Sequence, residues 1–239
     1  MLRYSARSLA KAAFQAFGLD LRKYPARDLE LTLQMLCASH KIDVVVDVGA
    51  NIGQFAMSMR AVGYSGRIVS FEPMKRAFDQ LSRRTSADPA WEARCLALGD
   101  AASTTLINVS ANSWSSSLLP IGMRHLQSAP ESVTVGEEKV HVARFDSQFD
   151  AEDGRVLLKI DTQGYESQVL DGLGSMSKQV RVLSVEMSLV ELYSGQMLFH
   201  ELLTKIENLG FRLWWIEPEF VDRNTRQMLQ VNGVFVRPD

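Results

Sequence analysis

Asp47, Gly49, Gly53 and Glu72 are the first residues along the chain whose types and spacing suit the binding of a nucleoside ligand. Asp47 lies in the apolar run 44–48, the two glycines follow it, and Glu72 ends a second apolar run. The glycines permit positive φ and close backbone approach, which a side chain would block. A carboxylate at the end of the second strand can accept hydrogen bonds from both hydroxyls of a ribose. The pattern predicts a nucleoside-binding turn.

The spacing of the glycines and the nearby acid indicate which nucleoside binds. Gly49 and Gly53 form G-x-x-x-G rather than the G-x-G-x-x-G that holds a pyrophosphate at a helix N-terminus. Asp47 would repel a diphosphate but suits a ligand with an ammonium and a sulfonium, and Glu72 would reject a ribose 2′-phosphate. We therefore predict S-adenosylmethionine as the cofactor. The alternative is a nicotinamide-dependent oxidoreductase, which the missing third glycine and Asp47 disfavour.

A second strand-turn-helix pattern at 156–166 supplies candidates for catalysis. Lys159 and Asp161 fall on one face of its strand, because side chains alternate with a period of two. Buried charges are rarely unpaired, so these residues predict either a site or a mutual ion pair. Asp161, at a strand end beside the glycine turn, is our first candidate for a general base. The others are Glu186, which ends another apolar run, and His125, whose ordinary pKa suits a base near neutral pH.

Two further segments provide candidate ligand contacts. Gly99 and Asp100 follow a predicted strand at 91–98, where Asp100 would either accept a hydrogen bond from adenine or start the turn that Gly99 opens. The polar segment 110–120 is too long for a tight turn, and such loops are usually functional or disordered.

Within that segment, Asn112, Ser115 and Ser116 could hydrogen-bond a polyhydroxylated acceptor or the methionine end of the donor. Trp114 could offer a face on which a sugar stacks. The alternative is a solvated linker.

Hydrophobic patterns place these residues on alternating strands and helices. The predicted strands and helices lie at 44–48, 54–62, 67–72, 75–86, 91–98, 104–109, 133–142, 156–160, 180–187, 196–209, 211–216 and 231–236. Continuous apolar runs are typical of buried parallel strands, so the alternation predicts an α/β fold with a doubly wound sheet. The last two strands are predicted to pair antiparallel.

Composition limits the class of protein. The 239 residues are 46% hydrophobic with a net charge of −2, which is typical of a soluble domain and gives no bulk attraction to nucleic acid. The two cysteines, Cys37 and Cys95, form no C-x-x-C pair, so we predict neither a thiolate metal site nor a disulfide framework. No apolar stretch reaches the roughly 18 residues of a membrane span. We expect a cytoplasmic protein.

The first 27 residues carry six basic residues and one acid, with apolar residues at helical spacing. A basic amphipathic helix of this kind either packs across the edge of the domain or lies on an anionic membrane surface as a peripheral contact. A third alternative is an organelle transit peptide, although the serine content is modest. A second helix is predicted at 28–40.

Taken together, the motifs resemble those of the FkbM family of S-adenosylmethionine-dependent O-methyltransferases. The matching stretches, in the family's order, are 47–55, Phe71-Glu-Pro, Leu98-Gly-Asp, the serine loop at 112–118 and 158–166. The resemblance implies a Rossmann-like, seven-strand class I methyltransferase sheet, mostly parallel with an antiparallel last strand, plus N-terminal helices. The implied domains are an N-terminal helical cap at 1–40 and a methyltransferase domain at 41–239, with a substrate-side insertion at about 101–145.

The resemblance also implies roles for single residues and a reaction. It places Asp100 near adenine and Asp161 near the acceptor, and assigns the donor site to Asp47, Gly49, Asn51, Gly53 and Glu72. The implied reaction methylates a sugar hydroxyl of a glycolipid or another glycosylated small molecule. A non-catalytic S-adenosylmethionine-binding or scaffold protein is the alternative. A divalent cation held by Asp161 and Glu186 could orient the hydroxyl, but two separated acids do not establish a metal site, and we predict none. The sequence does not predict the oligomeric state.

Overall fold

The central sheet has seven strands, and the computed structural model that shows it describes residue 14 and residues 28–238. The strand order is β3-β2-β1-β7-β8-β10-β9, which confirms the predicted doubly wound seven-strand sheet. Its strands are β1 (Val44–Val48), β2 (Arg67–Phe71), β3 (Trp91–Arg94), β7 (Val156–Ile160), β8 (Val180–Ser188), β9 (Arg212–Pro218) and β10 (Gln230–Val236).

The register of β1 brings charged residues together. All five residues of β1 are buried, and the strand pairs in parallel with both β2 and β7. In these pairs Val46 lies beside Val69 and Leu158, so apolar residues fill the centre of the sheet. The same register places Asp47 opposite Lys159.

The last strand of the chain, β10, lies between β8 and β9 and runs antiparallel to both. The five strands β3, β2, β1, β7 and β8 pair in parallel. The sheet is therefore mostly parallel with an antiparallel last strand, as predicted.

Helices cover both faces of the sheet. The helices are α1 (Asp28–Ser39), α2 (Gln54–Ala61), α3 (Lys75–Thr85), α4 (Met123–Ser128), α5 (Glu166–Asp171) and α6 (Phe199–Asn208). On one face Leu33 of α1 and Met59 of α2 belong to a buried cluster that includes Leu157. On the other face Leu202 of α6 belongs to a second cluster that includes Leu183. Burial of these side chains at both faces is the main favourable contribution to folding.

The strand predicted at 91–98 is wrong as a single element. Trp91–Arg94 belongs to the central sheet, whereas β4 (Ala97–Leu98) pairs in parallel with β6 (Thr134–Ala143) in a separate three-stranded sheet. The third strand of that sheet is β5 (Ser103–Ser110), which pairs antiparallel with β6. The chain changes sheets because its partner changes from β2 to β6, a long-range choice that local periodicity does not contain.

The predicted basic amphipathic segment at 1–27 lies outside the described residues, apart from Phe14. Its proposed contacts therefore stay predictions. Among the described residues, none of the helices is both long enough and apolar enough to cross a membrane.

Candidate functional site

A cavity of about 300 Å³ opens where β1, β2 and β7 end. Parallel strands meet at one edge of the sheet, so the loops that follow them form its walls. The polar and glycine residues that line it include Gly49, Asn51, Glu72, Ser113, Ser116, Lys159, Asp161, Gln163, Glu217 and Glu219, together with the aromatic Trp114.

The predicted glycine turn contributes Gly49, but not Gly53, to the lining of the cavity. Gly49 has φ +77°, and a Cβ at this position would overlap the backbone carbonyl oxygen of Asp161. Gly53 has φ +91°, and a Cβ there would lie 2.7 Å from the ring of Trp91. Both positions therefore exclude side chains, but Gly53 does so for packing and does not line the cavity.

Asn51 connects this turn to the serine loop. Its backbone is left-handed (φ +48°), and its Nδ2 donates to the carbonyl oxygen of Ser113 at 3.0 Å. The Oδ1 atom of Asn51 is buried and has no hydrogen-bond partner among the described residues. Since Asn51 lines the cavity, this oxygen is available to a ligand that donates a hydrogen bond.

Asn112 and Ser115, predicted to contact ligand, hold the serine loop in shape instead of lining the cavity. Asn112 accepts a hydrogen bond from the Ser115 backbone N–H at 3.0 Å, capping a single turn of 3₁₀ helix. The Ser115 and Ser132 hydroxyls hydrogen-bond at 3.0 Å. The loop residues that do line the cavity are Ser113, Trp114, Ser116 and Leu118.

Glu72 lies at the carboxyl end of β2 and lines the cavity although only 3% of its surface is exposed. Its Oε2 accepts the Asn51 N–H at 2.9 Å, and its Oε1 accepts the Met74 N–H at 2.8 Å. Burial raises the pKa of Glu72 to about 7, and the two backbone N–H groups oppose that rise. Each carboxylate oxygen has a further lone pair for a ligand hydroxyl.

Lys159 lies between two carboxylates. Its Nζ is 3.1 Å from Asp47 Oδ1 and 3.3 Å from Asp161 Oδ2, so the ion pair with Asp161, one of the two predicted alternatives, is present. Burial lowers the pKa of Lys159, but Asp161 and Asp47 raise it more, so the residue carries an ammonium. Asp47 is fully buried and does not line the cavity. Its charge therefore acts through Lys159 rather than by direct contact with a ligand.

Gln163 joins the two predicted acids. Its Nε2 donates to Asp161 Oδ1 and to Glu186 Oε2, both at 2.8 Å, while its Oε1 accepts the Tyr193 hydroxyl at 2.7 Å. Gln230 Nε2 donates to the same Glu186 oxygen at 2.7 Å. Burial, followed by repulsion from Asp161, raises the pKa of Glu186 well above its ordinary value. Glu186 lies behind Gln163 and does not line the cavity.

The profile of the FkbM methyltransferase domain matches residues 47–213, which is more than half of the chain. The chain belongs to the FkbM methyltransferase family. This FkbM methyltransferase is therefore a transferase that uses S-adenosylmethionine. A search of curated protein sequences found no match.

The fold is similar to those of solved methyltransferases. Magnesium protoporphyrin IX methyltransferase from Synechocystis, with bound S-adenosylmethionine, is 9% identical, with each chain covered over 100% of its length and a TM-score of 0.47. The 1,6-didemethyltoxoflavin N1-methyltransferase of Burkholderia thailandensis is 12% identical, with 100% of this chain and 93% of that chain covered and a TM-score of 0.45. An rRNA methylase from Streptococcus thermophilus is 10% identical, with 92% and 99% covered and a TM-score of 0.46.

The cavity fits the donor on features of the structure itself. The buried carboxylate of Glu72 follows β2, and Gly49, which has no side chain, follows β1. The buried Oδ1 of Asn51 lacks a hydrogen-bond donor among the described residues. S-adenosylmethionine offers ribose hydroxyls and an ammonium group to these sites and brings an electrophilic methyl group. Among residues 28–238 and Phe14, no three His, Cys, Asp or Glu side chains cluster as metal ligands do.

His125, the third candidate base, does not line the cavity of this FkbM methyltransferase. Its ring packs against Tyr193 and Phe220, with centroid separations of 5.2 and 5.6 Å. Burial lowers its pKa to about 4. A general base must reach the proton that it removes, and His125 does not.

Gly99 and Asp100 also lie outside the cavity lining. A Cβ at Gly99 would meet Val142, and the exposed Asp100 accepts a hydrogen bond from Arg144 through its backbone carbonyl. The residues that line the cavity here are Leu96, Ala97 and Leu98 just before them. The predicted adenine contact of Asp100 stays a prediction.

Sequence reasoning missed Gln163 and Tyr193. Gln163 adopts a left-handed backbone (φ +57°), unusual for a side chain larger than asparagine. A glutamine two residues after a candidate catalytic acid is the signal that was available. Tyr193 offered no local signal, because it reaches Gln163 from 30 residues away.

We expect the Glu72 charge to reduce stability as the pH rises. The pKa of Glu72 is about 7 in the folded state, compared with its ordinary value of 4.5. Protonation of Glu72 favours the folded state, and this contribution to the free energy of unfolding is lost as the pH rises from 4.5 through about 7. Replacing Glu72 by Gln removes the titration. The free energy of unfolding of the variant relative to wild type should rise by about 1–3 kcal/mol between about pH 5 and pH 8, measured by urea unfolding.

The matched control is Glu92→Gln on the adjacent strand β3. Arg94 lowers the pKa of Glu92, so its carboxylate stays ionised across the same range and the difference should be flat. A flat difference for Glu72→Gln as well would contradict the raised pKa.

Proposed function

We propose that this FkbM methyltransferase methylates a hydroxyl of a sugar, on a glycolipid or another glycosylated small molecule. The observation that carries the proposal is the position of Asp161, a cavity-lining carboxylate whose side chain is 34% exposed. Lys159 and Gln163 hold its two oxygens at 3.3 and 2.8 Å, so it is oriented as a general base must be.

In the proposed mechanism the chain supplies position and a proton acceptor. When bound, S-adenosylmethionine would supply an electrophilic methyl group to the acceptor oxygen and leave as S-adenosylhomocysteine, and Asp161 would take the proton that the hydroxyl loses. Positioning of reactants can supply on the order of 7–11 kcal/mol of the barrier reduction, and a general base typically about 10²–10⁴ in rate. The role that we propose for Glu186 is to orient Gln163, and through it Asp161.

On the donor side, we propose that Glu72 accepts hydrogen bonds from the ribose and that Asn51 Oδ1 accepts one from the ammonium. Gly49 lets the donor approach the backbone, and Asp47 acts indirectly through its ion pair with Lys159. The features that support these assignments are the free lone pairs of Glu72, the orphan Oδ1 and the overlap that a Cβ at Gly49 would cause.

On the acceptor side, the composition of the cavity wall supports a sugar. Trp114 lines the cavity with 62% of its surface exposed, next to Ser113 and Ser116. An aromatic face combined with a few hydroxyls suits a ring that has one apolar face and several hydroxyl groups. Glu217 and Glu219 add acceptors for sugar hydroxyls on the opposite wall.

Replacing Glu72 by Ala should weaken the binding of S-adenosylhomocysteine about 100-fold, because two charge-assisted hydrogen bonds to the ribose are lost. Isothermal titration calorimetry measures the affinity. The control, Glu92→Ala, removes an exposed carboxylate from the neighbouring strand and should bind as wild type does. Unchanged affinity in Glu72→Ala would remove the ribose assignment.

Replacing Asp161 by Asn should lower methyl transfer about 10²–10⁴-fold and leave S-adenosylhomocysteine affinity within a few-fold of wild type. Release of S-adenosylhomocysteine is followed on a panel of glycosides, matched aglycones and amines. The control is Asp171→Asn, an exposed acid paired with Lys205.

Turnover on glycosides and not on aglycones or amines supports the proposal. Turnover on amines alone would contradict O-methylation. Donor binding without turnover on any acceptor would favour the non-catalytic alternative.

We also propose that the acceptor lies at a membrane and that residues 1–27 bring the protein there. The support is the excess of six basic residues over one acid in this segment. The protein should sediment with phosphatidylglycerol vesicles and not with phosphatidylcholine vesicles, and about 0.5 M salt should release it. Equal sedimentation with both, or with neither, would argue against this contact.

A further inference from the structure

Within residues 28–238, the outer strand β9 leaves one edge without a partner strand. It lies at the end of the sheet and, among the described strands, pairs with β10 alone. Exposed sheet edges are sites where another strand or chain can attach, so proteins usually protect them with charges, prolines or short strands. The seven residues of β9 carry their only proline at the last position.

Four consecutive large apolar residues of β9 are exposed. The exposed fractions are 39% for Leu213, 61% for Trp214, 39% for Trp215 and 43% for Ile216. The described residues therefore cover these apolar side chains only in part. A cluster of this kind on the surface of a soluble domain indicates an interaction site rather than scattered apolar residues.

The charges at the two ends of β9 favour a second copy of this chain as the binding partner. The strand begins with the basic Arg212 and carries the acidic Glu217 near its end, with Glu219 just beyond. A second copy that approaches antiparallel brings each basic end to the acidic end of the other strand. A parallel approach would place like charges together, which is unfavourable. An anionic lipid surface would be repelled by the acidic end.

We propose that β9 is the contact surface of a two-fold symmetric homodimer, in which the apolar residues 213–216 of one copy pack antiparallel against the same residues of the other. An isologous contact uses one patch on both copies, as two-fold symmetry requires. In the pairing of β9 with β10, Val234 lies opposite Trp215 and Phe235 lies opposite Leu213. Trp214 therefore has no partner on β10 and forms a β-bulge. The bulge limits backbone pairing across the edge, and side chains therefore supply most of the contact.

The dimer would reach the acceptor side of the cavity. Glu217 and Glu219 line the cavity, and the antiparallel arrangement brings Arg212 of the second copy toward them. The dimer does not depend on the proposed sugar chemistry.

Sedimentation velocity of the full chain over a concentration series tests the proposal. We expect a concentration-dependent species of twice 26.7 kDa with a micromolar dissociation constant, since a contact of one strand per copy is at the small end of specific interfaces. Trp214→Lys should weaken the dimer at least about tenfold by burying a charge. The control, Leu106→Lys, adds the same charge at an exposed apolar residue of β5 and should leave dimerisation unchanged.

A charge exchange provides a second test that does not depend on the tryptophan. Arg212→Glu alone should weaken the dimer, and adding Glu217→Arg should restore it, because the two changes together recreate opposite charges across the contact. A monomer at all concentrations up to about 100 µM, or a dimer as stable in Trp214→Lys as in Leu106→Lys, would overturn the proposal.

Discussion

The Lys159 ammonium lies between the carboxylates of Asp47 and Asp161, at 3.1 and 3.3 Å, and links the interior of the sheet to the cavity wall. Asp47 is fully buried in the central strand β1, where an uncompensated charge would cost several kcal/mol. Asp161 lines the cavity. One cation therefore makes a buried charge tolerable inside the sheet and fixes the direction of the acid that we propose as the base.

A second constraint fixes the turn after β1 against the turn after β7. The backbone of Gly49 packs so closely on the carbonyl of Asp161 that no side chain fits between them. The donor turn and the candidate base are thereby held by backbone rather than by flexible side chains. In the methyl transfer that we propose, this backbone contact would help to align the reacting atoms, and alignment contributes much of the rate in a displacement.

Gln163 shows how support for the site comes from several parts of the chain. Its amide nitrogen faces two carboxylates, which can only accept hydrogen bonds while they are ionised, and its oxygen faces the Tyr193 hydroxyl. Asn51 plays a similar part on the donor side by fixing the serine loop. The predicted ligand contacts Asn112 and Ser115 have turned out to be supports of this kind for the loop itself.

The sequence by itself determined the α/β alternation, the glycine turn and the positions of Glu72 and Asp161 at strand ends, while the seven-strand sheet came only with the family resemblance. These features are local, because apolar runs and turn glycines follow from the periods of strands and helices and from backbone sterics. Only the tertiary structure decided that the 91–98 segment divides between two sheets, that His125 packs away from the cavity and that Lys159 neutralises Asp47. Each of these depends on which distant segment becomes the neighbour, and hydrogen bonding, burial and charge pairing between distant segments leave no periodic trace in the sequence.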